Sequence, residues 1–218
     1  MKDRATESWL AAPAASGTSG GTAAVPARRW SDKPPSAPAD LLYPLSRFCE
    51  RDGHPLPPHE ILDGAAMPEP YRTLLVHGGD MTSRLEEFHR APMTLRVLHR
   101  EEDDRAYRRE VLLCTKDSGL PVEYGAIEIH LDAFAPGMRA EILEGRLPLG
   151  GLLNSHGIVY RSEPRAFVRL APDAELNALF GTDPANELYG RSNVLLGERG
   201  ETLARIVEVL RPLGKAAA

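Results

Sequence analysis

The ten residues Ala106-Tyr-Arg-Arg-Glu-Val-Leu-Leu-Cys-Thr115 constrain the chain most, because they read as a strand that turns a charge toward a core. Side chains alternate along a strand, so Tyr107, Arg109, Val111 and Leu113 share one face, and Arg108, Glu110, Leu112 and Cys114 share the other. Both faces are apolar enough to be at least partly covered. A guanidinium left unpaired among apolar groups costs several kcal/mol. Arg109 therefore needs a partner or a ligand, and an anion is the first candidate.

The final strand repeats the anomaly with the opposite sign. Thr202, Ala204, Ile206, Glu208 and Leu210 share a face, which sets a carboxylate between Ile206 and Leu210. If both strands belong to one sheet, a cation and an anion project from the same apolar surface. Two readings of that pair stand. It is a structural ion pair, or it marks the two polar ends of a small-molecule cavity that is apolar between them.

The rest of the chain supplies the frame. At 218 residues and 42% hydrophobic content there is enough apolar material for one domain with a core. A net charge of -5 with no Lys/Arg-rich block argues against a nucleic-acid surface. Cys49 and Cys114 are too few for a disulfide framework and lack metal-ligand spacing, which favours a reducing compartment. No apolar run is long enough for a membrane span, and the N-terminus has no signal-type segment, so a cytoplasmic, monomeric protein is expected.

Residues 1–39 are rich in Ala, Gly, Ser, Thr and Pro and are expected to form a disordered extension, with Trp9 and Trp30 as isolated aromatics. The folded domain is expected over 40–212, followed by a flexible tail at 213–218. Helical spacing marks segments after Pro44, behind Pro68 and Pro70, over Met81–His89, after Pro136, over Leu149–His156 and behind Asp173. Period-two segments run from Met93 to Arg100, Ala106 to Lys116, Leu120 to Leu131, Ile158 to Leu170, Glu187 to Leu196 and Thr202 to Leu210. Strands grouped in hairpins with helices between them predict an α+β fold, an antiparallel sheet with helices on one face.

Other chemistry is weaker. His77, Asp80 and His89 lie across a turn without a metal-binding motif, so no metal is expected. Glu128 and His130 read as a polar sheet face, Gly78-Gly79 and Gly150-Gly151 make no phosphate loop, and no Ser or Cys sits in a nucleophile elbow.

Four segments, in order, resemble the chorismate pyruvate-lyases. They are Gly79-Asp-Met-Thr-Ser-Arg-Leu-Glu86, Arg108-Arg-Glu-Val-Leu-Leu-Cys114, Leu147-Pro-Leu-Gly150, and Tyr189-Gly-Arg-Ser192 with Val207-Glu-Val-Leu-Arg-Pro212. The likeness spans Leu41 to Pro212, with Tyr189 where the family has tryptophan. It implies a twisted antiparallel sheet of about six strands with helical flaps over an internal site. It also implies cofactor-free conversion of chorismate to 4-hydroxybenzoate and pyruvate, a step of ubiquinone biosynthesis. On that resemblance Arg109 holds a substrate carboxylate, and Glu208, set among apolar neighbours, assists proton transfer at the ring-hydroxyl end. Met81 and Leu149 close the cavity. The alternative is a noncatalytic sensor or binder of a small aromatic carboxylate, since the ligand-sensing domains of one repressor group share the fold. The sequence shows no helix-turn-helix segment, so within that alternative a DNA-binding regulator is not expected and a free-standing sensor stays open.

Overall fold

A computed structural model describes residues 40–213. The expected N-terminal extension, with Trp9 and Trp30, and residues 214–218 of the expected tail lie outside the described residues. Seven strands form one sheet, all pairs antiparallel, in the order β1-β5-β6-β7-β4-β3-β2. They are β1 (His59–Leu62), β2 (Met93–Glu102), β3 (Ala106–Thr115), β4 (Pro121–His130), β5 (Tyr160–Leu170), β6 (Leu188–Gly197) and β7 (Thr202–Leu210). Six α-helices accompany them: α1 (Leu45–Asp52), α2 (Tyr71–Leu75), α3 (Met81–His89), α4 (Pro136–Glu144), α5 (Leu149–Ser155) and α6 (Ala174–Phe180). Among the described residues, no helix is long and apolar enough to cross a membrane.

The helices do not all lie on one face, which corrects that expectation. Leu45, Phe48 and Cys49 of α1 and Leu176 and Phe180 of α6 pack on Leu112, Tyr124, Ala126, Val207 and Val209. The opposite face is covered by α2 and α3, over Leu113 and Leu210, and by α4 and α5, over Ile127, Ile129 and Ala204. The reason lies in β3, β4 and β7, which are apolar on both sides and so must be covered twice.

The helices that cover the second face are fixed at their ends. The Asp80 carboxylate accepts from Thr82 N at 3.1 Å and Ser83 N at 3.0 Å, satisfying two of the free donors that begin α3. Pro136 stands at the start of α4, and Gly145, at φ 67°, ends it in the left-handed region. Three residues later Pro148 precedes α5, so the 145–148 link is short and stiff. It crosses directly over Arg109.

Register across the sheet defines a floor. One row of neighbouring residues runs Val111, Gly125, Glu208, Arg191, Phe167 across β3, β4, β7, β6 and β5. The row on one side holds Arg109, Ile127, Ile206 and Asn193, and the row on the other side holds Leu113, Glu123, Leu210 and Tyr189. Successive same-face rows are two residues apart, roughly 6.6 Å, so Arg109 and Glu123 are about 13 Å apart along the strand direction.

Candidate functional site

Between this floor and the covering helices lies a cavity of about 70 Å³. Leu95, Val111, Leu113, Ile127, Leu195 and Ile206 supply apolar wall and floor, and Met81 and Leu149 close it from the first turns of α3 and α5. Gly125 keeps the floor low, because a Cβ there would stand 3.1 Å from Val111 Cγ2. Gly150 lets α5 approach α3, since a Cβ there would stand 2.8 Å from Asp80 Oδ1.

Arg109, Glu208, Met81 and Leu149 all line this one cavity. Arg109 and Glu208 nevertheless do not pair with each other. Arg109 is only 3% exposed, yet its only hydrogen bond among the described residues runs from Nη2 to the Leu147 carbonyl at 3.1 Å. Its Nε and Nη1 have no partner, and neither has the nearby Tyr107 hydroxyl. Burial pulls the guanidinium below its ordinary range and the adjacent Tyr107 hydroxyl offsets that only in part, as for a charge without a counter-ion.

Glu208 has a different neighbour from the one expected. Rather than standing among apolar groups alone, its Oε2 accepts from Arg191 Nε. Arg191, 1% exposed, also donates from Nη1 to the backbone carbonyls of His77 at 2.9 Å and Leu75 at 3.3 Å. The structural ion pair is real, but its cation is Arg191. Beside it, Glu123 is 3% exposed and its Oε2 has no partner. Burial first, and then the Glu208 charge, push the Glu123 carboxyl well above the usual carboxylate range despite Arg191.

Arg191 and Glu123 are the site residues that sequence reasoning missed. The signal for Glu123 was present, since it shares the alternating face of Gly125, Ile127 and Ile129. Arg191 shares a face with Asn193 and Leu195 in a strand that also carries Ser192, so alternation alone did not single it out.

The remaining candidates resolve as structure. Asp80 is the α3 cap, and His77 Nε2 donates to the Leu74 carbonyl, 2.7 Å away. No three His, Cys, Asp or Glu side chains converge as metal ligands among the described residues. Glu128 belongs to the sheet face away from the cavity, where Arg108, Tyr43 and His130 surround it. Burial pushes its carboxyl up, but the hydrogen bonds from His130, Tyr43 and Arg108 outweigh that and bring it down to about 2.

No family model matches the sequence, and no curated protein matches it. Among solved structures, the effector domain of PhnF from Mycobacterium smegmatis aligns with a TM-score of 0.50 at 17% identity, covering 61% of this chain and 88% of that one. The longer PhnF structure from the same organism aligns with a TM-score of 0.49 at 17% identity, and this chain spans 64% of its length. A GntR-family transcriptional regulator from Bacillus cereus aligns with a TM-score of 0.42 at 14% identity, over 58% of this chain and 96% of that one.

These findings correct the enzymatic expectation. The solved chain that aligns at a TM-score of 0.50 is an effector domain, so the expected conversion of chorismate to 4-hydroxybenzoate and pyruvate, and with it a place in ubiquinone biosynthesis, is set aside. The fold itself stands as an α+β, chorismate lyase-like architecture in the form shared with the PhnF effector domain.

Proposed function

We propose that the chain is a noncatalytic binder of a small organic anion, a carboxylate on an apolar body about one ring in size, held in the cavity between the sheet and helices α3 to α5. The observation that carries this reading is Arg109, a buried cation with two unpartnered donors on the wall of an apolar cavity. An unpaired buried charge is expensive to keep, and a carboxylate accepting from Nε or Nη1 would remove that penalty with a charge-assisted hydrogen bond. Val111, Ile127, Leu149 and Ile206 would take the apolar body. Arg191 is less available to an anion, being engaged by Glu208 and two backbone carbonyls. The PhnF match adds that this fold serves as an effector domain in another protein.

Calorimetric titration tests the reading. Benzoate should bind at one site per chain, acetate should bind far more weakly for want of an apolar body, and Arg109→Met should abolish the benzoate signal. Equal binding of benzoate by wild type and Arg109→Met would reject it.

A further inference from the structure

We propose that Glu123 reads the end of the ligand remote from Arg109, hydrogen-bonding an uncharged hydroxyl or carbonyl oxygen there. This rests on the binding reading above and narrows its ligand class to a carboxylate with a neutral oxygen at the opposite end of its body.

Placement comes first. Glu123 lies two same-face rows from Arg109, across the floor that Gly125 leaves bare. Its Oε1 stands 3.5 Å from the position of a Cβ on Gly125, so the carboxyl leans along β4 over that floor, toward the Arg109 end. Oε2 is buried with no partner in the protein, and the residue lines the cavity. A buried polar atom in that state is a standing penalty of ~1–3 kcal/mol unless something in the cavity satisfies it.

Charge then selects the partner. Burial, the Glu208 charge and, more weakly, Asp80 raise the Glu123 carboxyl well above the usual carboxylate range against the pull of Arg191, which favours its hydrogen-bond-donating form. The only guanidinium at this end is engaged by Glu208, so a second carboxylate on the ligand would meet a negative neighbour and no available cation. An uncharged oxygen fits both the donor and the field.

The test titrates the whole chain with benzoate, 4-hydroxybenzoate, terephthalate and 4-(aminomethyl)benzoate, which differ in charge and polarity at one end. Wild type should prefer 4-hydroxybenzoate over benzoate by roughly tenfold, the worth of one well-made hydrogen bond. Terephthalate and the aminomethyl compound should bind more weakly than 4-hydroxybenzoate. Glu123→Gln, which keeps a neutral donor, should retain most of the preference. Glu123→Met should lose it, binding benzoate and 4-hydroxybenzoate alike. Arg109-dependent binding of benzoate with the same hydroxyl preference in Glu123→Met, or tightest binding by either charged compound, would overturn this inference alone. No binding by any of the four would overturn the parent reading along with it.

Discussion

Two arginines lie buried on the same face of one sheet, and they are in opposite states. Arg191, 1% exposed, has a carboxylate and two backbone carbonyls around it, whereas Arg109, 3% exposed, has one carbonyl and two idle donors. Burial alone therefore does not mark a binding residue. What separates the two is hydrogen-bond satisfaction: the satisfied guanidinium ties β6 and β7 to the chain after α2, and the unsatisfied one is available to a partner from outside the chain.

That contrast breaks first under substitution, and the two substitutions should have opposite signs. Arg191→Met leaves Glu208 buried beside no cation and should cost about 3–5 kcal/mol of stability, measured by chemical unfolding. Arg109→Met removes a charge that nothing in the protein offsets and fills the same space with apolar atoms. It should raise stability by about 1–3 kcal/mol while abolishing the response to benzoate, seen as an upward shift in melting temperature without ligand and none on adding it.

The apolar floor sharpens the same comparison. Gly125→Ala places a methyl 3.1 Å from Val111 Cγ2 and into the cavity, so benzoate affinity should fall by roughly tenfold in the same titration. Arg109 is untouched in that variant, so unchanged affinity would mean the anion binds outside the space above Gly125.

The smallest effect is expected on the far face, at the Glu128 cluster. The folded-state carboxyl lies at about 2 against an ordinary 4.5, so its stabilising contribution is fully present above the ordinary value and is lost as pH falls through the folded one. Glu128→Gln should lower stability by about 1 kcal/mol at neutral pH, because Arg108 retains Asp103 as an anion and the amide keeps a hydrogen-bond acceptor. The gap between wild type and variant should stay constant down to about pH 5 and close by about pH 2. A gap that widened in acid would contradict the sign.

Much of this site was legible in the sequence, because alternation fixes faces without knowledge of the fold. It set Arg109 with Val111 and Leu113, and it set Glu208 with Ile206 and Leu210. Which groups pair was not legible. Extending the pairing of Leu196 with Thr202 along an undistorted hairpin would put Arg191 opposite Val207, but a bulge between Leu195 and Leu196 shifts the register and sets Arg191 opposite Glu208. The short strand β1 was also missed. Its four residues are largely exposed and take their strand character only from pairing with β5. Activity was misread for a related reason, since a shared fold and shared short segments do not carry chemistry with them.

The most direct measurement is the unfolding free energy of Arg109→Met beside wild type, with and without saturating benzoate. The expected result is a variant more stable than wild type in plain buffer and unmoved by benzoate, with wild type rising when benzoate is added. A variant less stable than wild type in plain buffer, or stabilised by benzoate to the same degree, would contradict the claim that Arg109 is kept unpaired for a ligand.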